Sequence, residues 1–125
     1  MDPQRLFFAA RLSIALLFFV AGVRKAMAFG ATLGYLGALG VPLPMIALPV
    51  TIAIEVGGSL LLLLGVRLRW VAPVMALFTL ATALTAHQFW SAPPEQFDGQ
   101  LYNFLKNIAI AGGLLLVAAW RGKHD

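Results

Sequence analysis

The chain of 125 residues contains no cysteine and few charged residues. The absence of cysteine excludes disulfides, thiolate zinc sites and iron–sulfur clusters built from this chain. Charged residues make up 11% of the sequence, whereas an ordinary soluble domain carries about 25%. So little charge cannot cover a soluble surface, and the mean hydropathy is +0.88. The composition therefore predicts an integral membrane protein.

The net charge of +4 reflects basic residues at the ends of apolar runs. No basic stripe is interleaved with aromatic residues, so we expect no nucleic-acid partner. The expected partner is the lipid bilayer, and the sequence is compatible with an oligomer. Because basic flanks favour the cytoplasmic side of a membrane, we expect both termini there. The residues that carry this orientation are Arg5, Arg67, Arg69, Arg121 and Lys123.

Four apolar runs are long enough to cross a bilayer as helices, which takes about 20 residues each. Tryptophans lie at the ends of two of these runs, Trp70 and Trp90 at the third and Trp120 at the fourth, as is typical of the membrane interface. We therefore predict an all-α integral membrane protein in which residues 1–125 form a single four-transmembrane-helix bundle. The predicted spans are residues 6–23, 45–65, 70–89 and 102–120.

Residues 29–44, between the first and second spans, are too short to cross a membrane. Apolar residues recur there at helical spacing, and Pro42 and Pro44 follow them. This pattern predicts a short interfacial or half-inserted helix between the first two spans. A plain loop is the alternative, because three glycines in the stretch weaken a helix.

Glu55 is the single ionisable residue in the run from Val50 to Val66. A charge near the bilayer centre costs at least about 2.5 kcal/mol, so this carboxylate needs a partner, a proton or a function. Counting helical rise along the spans puts Arg11 within about one turn of the depth of Glu55. Lys106 has a side chain long enough to reach inward. We therefore predict an ion pair of Glu55 with Arg11 or Lys106.

Polar residues on a membrane helix collect on faces that contact other helices, because lipid offers them no partner. On that basis we predict a ligand-binding or buried polar cluster inside the bundle, with Lys25 and His87 near an outward-opening mouth. Glu55 could fix helix register, hold the polar head of a ligand or pass a proton. His87 could be an interfacial hydrogen-bonding residue or a ligand contact. The predicted cluster comprises Arg11, Lys25, Glu55, His87, Lys106 and Asn107.

The sequence contains no self-contained catalytic or redox centre. The two histidines are His87 and His124 in the tail, so one chain cannot provide two axial haem ligands at membrane depth. Glu55 and His87 alone do not make a metal-ligand set. We therefore expect no haem, iron–sulfur or metal site. A quinone is compatible with the sequence as a cofactor.

Five segments in this order resemble the DoxX family of small bacterial membrane proteins. They are AGVRKAMAF (21–29), LGVPLP (39–44), Glu55 with LLLLGVRLR (61–69), HQFW (87–90) and NFLKNIAIAGGLLLVA (103–118). The resemblance implies a four-helix fold in the bacterial cytoplasmic (inner) membrane. The family's recurrent polar positions correspond here to Arg11, Lys25, Glu55, Lys106 and Asn107.

Some members of that family are associated with thiosulfate:quinone oxidoreduction, and others with thiol or oxidative-stress systems. The resemblance thus implies an accessory or ligand-binding component of a membrane redox or stress-response system. Its ligand would be quinone-like or another amphipathic molecule, and a redox protein would be its partner. A small transporter or channel, and a structural assembly protein with a polar core ion pair, are the alternatives.

Overall fold

The computed structural model describes residues 2–120, and all regular structure in that range is helical. Four helices are long and apolar enough to cross a membrane, and the fold class is therefore confirmed. They comprise Pro3–Met27, Pro44–Leu64, Leu68–Ser91 and Pro94–Ala119. Arg121 and Lys123, which contribute to the predicted orientation, lie outside the described residues.

The first long helix is α1 (Pro3–Met27), and α2 (Phe29–Ala38) is the short helix after it. The second long helix has three parts: α3 (Pro44–Ile52), a π-helical turn (Ala53–Gly57) and α4 (Gly58–Leu64). The third is α5 (Leu68–Ala86), followed by a 3₁₀ turn (Phe89–Ser91), and the fourth is α6 (Pro94–Ala119). α1 and α6 are longer than the predicted spans 6–23 and 102–120, because polar residues continue each helix beyond its apolar window.

Helix ends follow from local backbone chemistry. Asp2 caps α1 by accepting a hydrogen bond from the amide of Gln4 at 3.4 Å. Pro44 and Pro94 each lie in the first turn of a helix, where no amide donor is needed. Gly65 ends α4 with a φ of 75°, a left-handed conformation that glycine adopts without a steric penalty.

The long helices pack in two pairs, α1 against the second long helix and α5 against α6. Their exteriors stay apolar: Leu77 is 71% exposed and Leu116 is 74% exposed, as lipid-facing residues would be. The apolar core that joins the pairs consists of Phe7, Ala15, Phe18, Leu62, Leu68, Ala72, Met75, Ala76, Ala111, Leu114 and Val117.

The short helix α2 confirms the predicted helix between the first two long helices. It packs against α3 and α1 but buries none of its own side chains. A left-handed glycine, Gly40 with a φ of 81°, follows the helix and turns the chain toward Pro44. This leaves α2 beside the ends of the long helices rather than inside the bundle.

Candidate functional site: a polar cavity between the helices

Glu55 is held by Lys25, so the predicted pairing with Arg11 or Lys106 is wrong. The Lys25 ammonium lies 2.9 Å from Glu55 Oε1 and donates to Oε2 at 3.2 Å. The carboxylate side chain is 7% exposed and the lysine side chain is 32% exposed. A buried acid is therefore neutralised by a cation that reaches it from the last turn of α1.

Close contact between two backbones brings these side chains together. Gly22 is buried on α1, one turn before Lys25, and it faces the π-helical turn that carries Glu55. A Cβ at position 22 would lie 2.6 Å from Val56 Cγ2 and 3.0 Å from Glu55 Cβ. Small residues allow such close packing of membrane helices. π-helical turns inside α-helices are frequent at functional sites.

Arg11 lies elsewhere, at the end of the bundle that contains the turn between the second and third long helices. Its guanidinium donates to the carbonyls of Leu62 at 2.8 Å and Leu63 at 3.3 Å. These are among the last carbonyls of α4, where the regular hydrogen bonds of the helix end; Leu62 O also accepts from the Gly65 amide at 3.2 Å. A positive charge is also favourable at this end of a helix dipole. Arg11 therefore caps α4 and takes no part in the Glu55 site.

Asn107 joins α6 to α5 through its amide nitrogen. Nδ2 donates to the carbonyl of Thr79 at 3.2 Å and to Thr82 Oγ1 at 3.0 Å. Thr79, Thr82 and Thr85 each donate their hydroxyl to a carbonyl of α5, as threonines inside membrane helices commonly do. The same three side chains also line a cavity, which the sequence did not predict.

This inner cavity has a volume of about 350 Å³ and lies between α1, α2, α3, the π-helical turn, α5 and α6. Its polar lining contains Lys25, Glu55, His87 and Asn107, so the structure brings four of the six predicted residues to one space. Arg11 and Lys106 do not line it, and Lys106 is exposed on α6. The apolar part of the lining is Leu17, Phe18, Ala21, Leu36, Leu39, Phe78, Ala86 and Ile110.

His87 lies where the inner cavity meets a second, more polar pocket. This outer pocket, of about 370 Å³, shares Tyr35, Ala86 and His87 with the inner cavity. His87 Nδ1 lies 3.0 Å from Gln100 Oε1, so a side-chain hydrogen bond joins the histidine ring to α6. The remaining residues of the outer pocket are Glu95, Gln96, Gly99, Gln100 and Asn103.

Sequence reasoning did not identify Tyr35 or Gln100 as part of this region. Tyr35 lines the inner cavity, and Gln100 contacts His87. Thr51 also lines the cavity, as expected for a residue that precedes Glu55 by four positions on the same helical face. Tyr35 and Gln100 carry no such signal, since their positions depend on where α2 and the start of α6 fold back.

Membrane-length helices around a cavity with a buried ion pair define a small helical membrane protein with an internal site. The DoxX family model matches residues 6–88 of the chain. The chain therefore belongs to the DoxX family.

Two relatives from Escherichia coli (strain K12) support this assignment. The chain is 36% identical over 109 residues to inner membrane protein YphA, covering 87% of this chain and 78% of the relative. It is 38% identical over 109 residues to inner membrane protein YqjF, with the same coverage of both chains. No solved structure matches the chain significantly.

Proposed function

We propose that this protein binds a small amphipathic molecule, of the quinone-like class, in the inner cavity. The observation that supports this proposal is a partly enclosed space of ligand size with convergent polar groups on otherwise apolar walls. Binding sites for small molecules generally combine an apolar lining with a few placed polar groups. The Lys25–Glu55 pair would hold polar atoms of the ligand head, and the apolar residues would contact its ring.

We further propose that the protein acts as an accessory component of a membrane redox or stress-response system. The chain has no cysteine, so electrons would come from a bound cofactor or a partner protein. In this proposal the cytoplasmic (inner) membrane holds the protein with both termini in the cytoplasm. The inner cavity then opens toward the outer face, because it lies at the end of the bundle opposite to the 65–67 turn.

The first experiment is native mass spectrometry of the protein extracted gently from its own membrane. We expect a stoichiometric extra mass that matches a quinone or another non-lipid molecule. An Ala86→Phe variant should lose this mass, because Ala86 lines both the inner cavity and the outer pocket. The matched control is Ala81→Phe, since Ala81 is exposed on the same helix and lines neither space.

The outcomes separate the proposed function from its alternatives. A bare chain that carries only bulk phospholipid would contradict ligand binding and favour a structural role for the ion pair. An extra mass that persists in Ala86→Phe would place the bound molecule outside the cavity. Uptake of solute into liposomes driven by an ion gradient would favour a transporter.

A further inference from the structure

On the side of the inner cavity formed by α5 and α6, the threonine hydroxyls and the Asn107 amide already donate their hydrogen bonds to other protein groups. The hydroxyls of Thr79, Thr82 and Thr85 donate to carbonyls of α5 at 2.7, 2.8 and 3.1 Å. A hydroxyl that donates to the backbone can offer only lone pairs to a ligand. This side of the cavity therefore presents acceptors.

Asn107 strengthens this pattern because its orientation is fixed. The carbonyl of Thr79 can only accept a hydrogen bond, so the group that faces it must be the amide nitrogen. The second amide hydrogen goes to Thr82 Oγ1 at 3.0 Å. Asn107 Oδ1 is left as an acceptor, and no hydrogen bond to it occurs within residues 2–120.

The hydroxyls of Thr82 and Thr85 flank the same part of the cavity lining as Asn107. Thr82, Thr85 and Asn107 together form what we call the acceptor wall.

The charged groups of the cavity cancel. Lys25 and Glu55 contribute one positive and one negative charge that lie 2.9 Å apart. A charged ligand head would leave the cavity with an unbalanced charge, which is costly in a poorly solvated space. The lining therefore favours a neutral molecule.

We infer that the ligand of this site is a neutral hydrogen-bond donor, an alcohol or a phenol-type hydroxyl on an apolar ring, that donates to Asn107 Oδ1. An aprotic head could accept from the Lys25 ammonium, but it would leave Asn107 Oδ1 without a donor, and an unpaired acceptor weakens binding. This inference rests on the proposed ligand site and specifies the chemistry of its occupant. It favours the reduced, hydroxyl-bearing form of a quinone-like molecule over the oxidised form.

The test uses two probes that differ in one hydrogen-bond donor, 4-heptyloxyphenol and its O-methyl ether. Binding of each is measured by equilibrium dialysis with the full chain in lipid nanodiscs, and empty nanodiscs correct for partition into lipid. We expect the phenol to bind about ten-fold more tightly than the ether, which corresponds to one well-placed hydrogen bond. Equal affinity of the two probes would overturn the inference and leave the proposed ligand site intact.

A double variant locates the acceptor. Thr82→Val/Asn107→Leu removes the amide and the hydroxyl that it bonds, so neither partner is left stranded. We expect the phenol-to-ether ratio to fall to near one, while affinity for the ether changes little. The matched control is Thr32→Val/Asn103→Leu, because Thr32 lies on α2 outside the cavity lining and Asn103 lies in the outer pocket.

Each further outcome decides the inference. A ten-fold ratio that survives in Thr82→Val/Asn107→Leu would overturn the assignment to Asn107. Binding of neither probe to the wild-type protein would overturn the proposed ligand site, and the donor inference with it. The wild-type ratio needs no variant, so the test stands even where the double variant fails to fold.

Discussion

Each end of this helical bundle contains a buried or half-buried charge, and the two charges have different partners. At one end Arg11 donates to backbone carbonyls of α4, and the surrounding space is filled by core residues such as Phe7, Leu62 and Val117. At the other end Glu55 pairs with Lys25 beside a cavity of about 350 Å³. The first arrangement completes a helix end, whereas the second leaves room for another molecule. Under the proposed function, the Arg11 end maintains the fold and the Glu55 end binds the ligand.

The largest effect should come from removing Lys25. In Lys25→Met the buried Glu55 carboxylate loses its counter-charge, and breaking such a pair costs on the order of 3 kcal/mol. We expect a clearly lower thermal midpoint in detergent. The double variant Lys25→Met/Glu55→Leu should recover most of the loss, because replacing both partners by apolar residues is often neutral.

Lys106→Met is the matched control for this prediction, because Lys106 is exposed on α6. The thermal midpoint of Lys106→Met should stay near that of the wild type. Equal losses in Lys25→Met and Lys106→Met would show that the pair with Glu55 does not stabilise the fold.

A smaller loss is expected at the opposite end in Arg11→Met. This variant removes the two bonds to the carbonyls of Leu62 and Leu63, and hydrogen bonds to charged groups contribute roughly 2 kcal/mol. The thermal midpoint should fall, but the affinity for 4-heptyloxyphenol should not change, because Arg11 does not line the inner cavity. A loss of affinity as large as that in Thr82→Val/Asn107→Leu would break the proposed division between the two ends.

Gly22→Ala should lower the free energy of unfolding by about 1–2 kcal/mol, as substitutions that overpack a core do. The new methyl group would lie 2.6 Å from Val56 Cγ2, so α1 and the π-helical turn must separate. That movement displaces Glu55 as well. We therefore expect both a lower midpoint and weaker binding of 4-heptyloxyphenol; unchanged binding would show that the ion pair tolerates the separation.

The smallest predicted effect has the opposite sign and concerns Gly112→Ala. A Cβ at position 112 would meet nothing within 4 Å, although the residue lies inside α6. Replacing a helical glycine by alanine where space is open should raise the free energy of unfolding by up to about 1 kcal/mol. A midpoint below that of the wild type would indicate a contact of α6 with lipid or a second copy of the chain.

The sequence predicted the helices correctly because their signal is local. Runs of about 20 apolar residues, prolines in first turns and tryptophans near helix ends can all be read without knowing the tertiary contacts. The short helix α2 was predicted in the same way, from apolar residues at helical spacing. The helix ends at Ala38, before Pro42 and Pro44, where Gly40 with a φ of 81° turns the chain.

The partner of Glu55 could not be predicted in this way, because it depends on the relative height of two helices. If the first span ended at the level where the second begins, Arg11 would lie beside Glu55. In the structure Glu55 lies well inside the second long helix, yet it meets Lys25 from the last turn of α1. The offset is set by the packing of Gly22 on Val56, which no single-helix pattern contains.

The glycine pairs illustrate the same limit. Gly57–Gly58 and Gly112–Gly113 are pairs of small residues, which favour close packing of membrane helices. Gly58 does lie against Met75, because a Cβ added there would be 2.8 Å from Sδ. Gly57 and Gly112 have open space instead. Which glycine of a pair faces a neighbouring helix depends on helix rotation, and the π-helical turn alters that rotation in the second long helix.

The short helix α2 has a consequence for how fast the inner cavity could exchange its contents. α2 contributes Tyr35 and Leu36 to the cavity lining but buries none of its own side chains. A segment with so little buried surface opens at a free energy far below that of global unfolding. The residence time of an occupant is then governed by this local opening. Two variants with the same melting temperature could therefore release the same molecule at very different rates.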